Sequence, residues 1–187
     1  MSGLILLAAA LSAQAPVTFP GPQTSVQSPT SRARVYYVDL GANENGQNLS
    51  LRFDPGNGRP IILKWFGRSV DVGSTPSGAR FFVNDYIGSN LADCLIIRPE
   101  RTGVRGVSLM RLIARSQGRP RETPDNSHYS VHCDGWVSDT VMAGMVGGHT
   151  DETNSHDFEY AFRYDAASGR IRWRPKTQNP NGEERAQ

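Results

Sequence analysis

The sequence predicts a mainly β fold, one small antiparallel domain of about eight strands built as a meander or a sandwich, with one amphipathic helix. Three observations predict it. Short segments alternate apolar and polar residues with a period of two, which sends successive side chains to opposite faces of a sheet. Clusters of Asn, Asp, Pro, Ser and Gly separate these segments at close spacing. Only one stretch, residues 105–116, shifts to the helical period.

The 187-residue chain divides into four parts. Residues 1–15 read as a signal peptide. Leu4 to Leu11 is an unbroken apolar run, and Ala13-Gln14-Ala15 is a small-x-small pattern, with cleavage after Ala15 or after Ala13. The run is far short of the ~20 residues that span a bilayer, so no transmembrane anchor is expected. Residues 16–33 are rich in Pro, Ser, Thr and Gln and read as a flexible leader; residues 176–187 read as a disordered tail. Residues 34–175 form the β-rich domain.

Within that domain, residues 34–41 (RVYYVDLG) are β-branched and aromatic, and Leu49, Leu51 and Phe53 alternate with Ser50 and Arg52. Asn45-Gly46 between them is a hairpin signal, because both turn residues must tolerate positive φ. Residues 61–66 (IILKWF) make a third strand, apolar enough to be expected at the centre of a sheet. Residues 80–85 and 92–98 form the next pair. In residues 105–116 a 100° projection gathers Val107, Leu109, Met110, Leu112 and Ile113 on one side and Ser108, Arg111 and Arg115 on the other. Gly118 and Pro120 stop that helix. Strands then return: Tyr129, Val131 and Cys133; Val141, Ala143 and Met145; Phe158, Tyr160, Phe162 and Tyr164; Ile171 and Trp173.

Thr75-Pro76-Ser77-Gly78, the apolar strand to Asp85, the tip Gly88-Ser89-Asn90 and Asp93-Cys94-Leu95-Ile96 resemble the repeat unit of TolB-like periplasmic β-propellers. Tyr164-Asp165 through Ser168-Gly169 to Trp173 resembles the hairpin of quinoprotein-type propeller blades. The resemblance covers part of the chain and implies blade-like hairpins. It does not imply a closed propeller, which needs at least four blades of four strands, and it assigns no catalytic residue.

Cys94 and Cys133 are the two cysteines. In an exported protein an even count predicts a bridge, and closing a loop of about 39 residues contributes roughly 4 kcal/mol in the chain-entropy model. The formal net charge of +2 is too small to point to nucleic acid. Of 20 basic residues only Lys64 and Lys176 are lysines.

The sequence contains no Gly-x-Ser-x-Gly elbow, no His-Glu-x-x-His and no phosphate-cradling Gly-Lys-Ser/Thr loop. Residues 147–157 hold six side chains of metal-ligating type: His149, Asp151, Glu152, Asn154, His156 and Asp157. Of these, His149, Asp151, His156 and Asp157 are the candidate metal ligands, although their spacing matches no standard site and a solvated connection is the plainer reading. His128 and His132, four apart on a strand, lie roughly 13 Å from each other and do not share an ion. Arg111, Arg115, Arg119 and Arg121 make a candidate basic patch for an anion or a partner. Trp65, Trp136 and Trp173 lie in or beside apolar strands, and at least two are expected to pack there.

The function these features favour is that of an exported, non-enzymatic binding or envelope-associated module with no cofactor, whose partner is a protein or glycan of the cell envelope. The alternatives are a metal-dependent hydrolase using His149, Asp151 and His156, and an inhibitor of a secreted hydrolase presenting residues 76–80.

Overall fold

A computed structural model of the chain describes residues 15–44, 46–88, 91–100, 103–116, 129–149 and 157–174. They form two sheets and one helix. The smaller sheet runs in the order β2 (Ser25–Gln27), β3 (Arg34–Asn43), β4 (Gly46–Asp54), β5 (Ile61–Phe66). The larger runs β1 (Val17–Phe19), β6 (Val70–Ser74), β7 (Phe81–Asp85), β8 (Leu91–Glu100), β10 (Tyr129–Trp136), β11 (Val141–His149), β12 (Asp157–Asp165), β13 (Arg170–Trp173). β9 (Gly103–Ser108) pairs with β8 off this path, and α1 (Leu109–Arg115) follows it. All pairings are antiparallel except β8 with β10. Among the described residues no helix is long and apolar enough to cross a membrane.

The larger sheet forks at β8. Leu91 and Ala92 pair in parallel with Tyr129 and Ser130, whereas residues 95–100 pair with β9. The alternation of β7 and β8 then feeds two cores. Phe81, Val83, Leu95 and Ile97 face the smaller sheet, where they meet Val35, Leu49, Leu51 and Phe53, with Phe19 of β1 in the same core. Phe82, Cys94 and Ile96 face the other way, onto Leu109 and Ile113 of α1 and onto Val131, Trp136, Met142 and Phe162 of the β10–β13 meander. Covering on both sides explains why all five residues of β7 are buried. The molecule is thus a sandwich and a meander sharing the β7–β8 ladder.

Two links hold the meander across this ladder. Cys94 and Cys133 are bridged, with Cα atoms 5.9 Å apart. Asn84, the cross-strand partner of Cys94, donates from Nδ2 to the Cys133 carbonyl at 3.0 Å and accepts the Cys133 N–H at 2.8 Å. Its side-chain amide takes the place of a neighbouring strand.

Several sequence expectations are corrected. Residues 16–33 do not form a leader free of structure: β1 and β2 join the two sheets, and Phe19 and Val26 are buried. Two apolar anchors suffice there despite the polar average. β5 is an edge strand, paired only with β4, and Trp65 stays 53 % exposed. The helix is limited to residues 109–115. Ser108 caps it by accepting the Arg111 N–H at 3.1 Å, and the preceding β-branched Val104 and Val107 pair with Pro99 and Ile96 in β9. The apolar period over 107–113 arose from a strand running into a helix. β11 has the opposite phase to the one expected: Met142, Gly144 and Val146 point inward. Gly144 conceals that phase in the sequence; a Cβ there would collide with the Phe162 ring and the His132 carbonyl.

Candidate anion-binding cleft

At one end of the β7–β8 ladder the register assembles a row of arginines. Phe82, Ile96 and Val107 lie side by side on β7, β8 and β9. Two residues further along β8 and β9, on the same face, stand Arg98 and Arg105, and Arg80 lies two residues before Phe82, just ahead of β7. Arg98 is directly opposite Arg105, and the pairing of Phe81 with Ile97 sets Arg80 beside Arg98. Neighbouring strands are about 4.8 Å apart, so the Arg98 and Arg105 stems follow one another at about that spacing.

These side chains line a cleft of about 380 Å³. Ile96, Val107 and Leu112 contribute apolar surface, and Tyr164 with the turn at residues 166–169 closes another side. The turn is held by the Asp165 carboxylate, which accepts the N–H groups of Ala167 at 2.9 Å and Ser168 at 3.1 Å. Those two backbone donors hold the Asp165 carboxyl below its ordinary value. Arg80 is fixed by donating to the Asp139 carbonyl at 2.6 Å, and the Asp139 carboxylate accepts the Ser77 N–H at 2.9 Å. The Ser77 hydrogen bonds hold the Asp139 carboxyl down as well. Burial pushes the Tyr164 phenol up, opposed by the positive charge of Arg105 and Arg80.

The row carries an electrostatic cost. Like charges directly opposite one another on a sheet repel. Among the described residues the ion pairs are Arg34–Asp54 and Lys64–Asp85, so none of the three arginines has a carboxylate at pairing distance. Arg98 and Arg105 are exposed and Arg80 is half-buried. An anion seated between them would receive planar, forked donors next to an apolar surface.

The residues singled out from the sequence are placed differently. Arg111 and Arg115 are exposed on α1, while Arg119 and Arg121 lie outside the described residues. His149 and Asp157 are cross-strand partners, the last residue of β11 opposite the first of β12; Asp151 and His156 lie outside the described residues. Among the described residues no group of three or more His, Cys, Asp or Glu is placed to hold a metal ion. His132 packs its ring 5.6 Å from that of Tyr86. The Tyr86 hydroxyl donates to Asp71 and is pushed up to about 12, by burial first and then by that bond. Trp136 is buried and Trp173 stacks edge-on to Phe162 at 6.1 Å.

Sequence reasoning missed Arg80, Arg98 and Arg105. A signal existed: Arg98 and Arg105 are equidistant in sequence from the midpoint between positions 101 and 102, as cross-strand partners of neighbouring antiparallel strands are. Assigning Arg105 to a helix hid it.

Comparison with protein-family models, with curated proteins and with solved structures gives no match.

Proposed function

We propose that the chain is an exported, non-enzymatic binding module whose ligand is an acidic glycan of the cell envelope, held in the arginine-lined cleft. The observation that carries this reading is the cross-strand pair Arg98–Arg105 with Arg80 in the same cleft lining, none of them in an ion pair among the described residues. Guanidinium groups keep their charge throughout the physiological range, which suits retention of an anion rather than proton transfer. The adjoining half-buried Val107 and Leu112 offer apolar contact to sugar rings, while the arginines meet carboxylates spaced along a chain. Export is supported by the apolar run with its small-x-small pattern and by the Cys94–Cys133 bridge.

Affinity electrophoresis tests the proposal. The protein is run through gels containing a polyuronate or a neutral glucan. Retardation is expected only by the polyuronate, weakening as salt screens the charges and lost in an Arg98→Glu/Arg105→Glu variant. Both positions are exposed, so the variant keeps its fold. Equal mobility in the two gels would contradict the reading.

A further inference from the structure

The opposite end of the β7–β8 ladder holds a buried charged cluster unrelated to the cleft. Asp85 and Asp93 are direct cross-strand partners and therefore share a face. They are 7 % and 8 % exposed, two of the few buried charged residues among those described. From the other sheet, Lys64 on β5 places its Nζ against Asp85 Oδ2, with the lysine side chain itself only 20 % exposed. Asp93 is oriented by the Ser108 hydroxyl, which donates to it at 2.6 Å, and by the Met110 N–H at 3.0 Å.

The choice of cation is informative. This chain supplies positive charge with arginine at all but two of its 20 basic positions. An arginine would make a stronger fork to a carboxylate and would remain charged. A lysine instead stands here, and its amine can lose a proton and act as a nucleophile.

We propose that Lys64 and Asp85 condense into an isopeptide bond that joins the two sheets, with Asp93 carrying the proton. Within the contact pair, a proton passes from the Lys64 ammonium to the Asp85 carboxylate and leaves both neutral. The Nζ lone pair then adds to Asp85 Cγ. Asp93 takes a proton from the nitrogen and delivers it to the departing hydroxyl, the C–O bond breaks, and water leaves. One amide and one water replace one amine and one carboxylic acid, with no change of oxidation state. In water the ionised pair resists this condensation. Burial draws the Lys64 amine down, against the Asp93 charge, toward the neutral nucleophile, and pushes the Asp93 carboxyl up, against its hydrogen bonds, which makes that carboxylate a stronger proton acceptor. The folded geometry also makes the reaction intramolecular, which removes much of its entropic barrier.

Mass spectrometry of the purified, reduced and denatured protein decides the matter. The N-terminus is mapped first so that the expected mass is fixed. The account predicts a mass lower than the sequence by one water, and a branched proteolytic peptide joining the β5 and β7 segments. Lys64→Arg keeps the charge, cannot condense, and should appear at its full sequence mass. Wild-type protein at full sequence mass, with the two segments recovered as separate peptides, would overturn the proposal whether or not any variant folds. An Asp93→Asn variant should remain unlinked; full linkage in it would overturn the proton-carrying role.

Discussion

Asn84 sits where three constraints meet. It faces Cys94 across the β7–β8 ladder, and its amide satisfies both backbone groups of Cys133, which is bridged to Cys94. Nothing in the run Phe81-Phe82-Val83-Asn84-Asp85 distinguishes this asparagine from an ordinary outward residue, because its partner is 49 positions away. Its burial follows from the fork, where β10 leaves the β8 edge and needs another source of pairing. Asn84→Ala would leave the Cys133 N–H and carbonyl buried without partners, at about 1–3 kcal/mol for each group. Urea denaturation should therefore register a loss of several kcal/mol. A change within a few tenths of a kcal/mol would show that water or a shifted strand replaces the amide. The arginines of the cleft obey the same logic: each looks like a surface charge, and only the register reveals a row.

At the scale of elements, alternation located most strands, and tertiary covering decided the rest. Phe158, Phe162 and Tyr164 point inward as their spacing indicates, and β3 and β4 pair as a hairpin, but one residue earlier than the Asn45-Gly46 signal, since Gly46 already belongs to β4 opposite Asn43. β5 was expected to be central because it is apolar, yet apolar character does not say whether a second layer covers the strand. α1 was expected to be longer because Val107 falls in helical phase with Leu109 and Ile113. Within the shortened helix, Leu109 and Ile113 are buried while Arg111 and Arg115 are exposed. Ile113→Ala should then cost about 2–5 kcal/mol, as core truncations do, and Arg115→Ala should stay within about 0.5 kcal/mol. Thermal or chemical unfolding of the two variants checks this, and comparable costs would mean that α1 is rotated from the face described here.

For the whole molecule, the β class, the single helix and the Cys94–Cys133 link were legible, since composition, turn chemistry and an even cysteine count bear directly on them. The division into two sheets was not, because it depends on which distant strands meet: Val17 finds Val72, and Tyr129 finds Leu91. The candidate cleft was illegible for the same reason. Arg98 and Arg105 belong to two strands and Arg80 to the segment just before a third, and they become one feature only when those strands are aligned. The basic residues that sequence did single out lie on one helix and beyond it, where proximity along the chain made them easy to see.

In the proposed reading this arginine row selects an anion. Titration calorimetry tests it most directly, using a short oligouronate, the same oligosaccharide with its carboxyl groups reduced to alcohols, and the protein with and without Arg98→Ala/Arg105→Ala. A charge-assisted hydrogen bond contributes about 1.5 kcal/mol or more, close to tenfold in affinity for each arginine. The account predicts heat of binding for the acidic ligand, none for the reduced one, and a loss of about a hundredfold in the double variant. Equal affinity for the two ligands, or a double variant that binds like the parent, would contradict it.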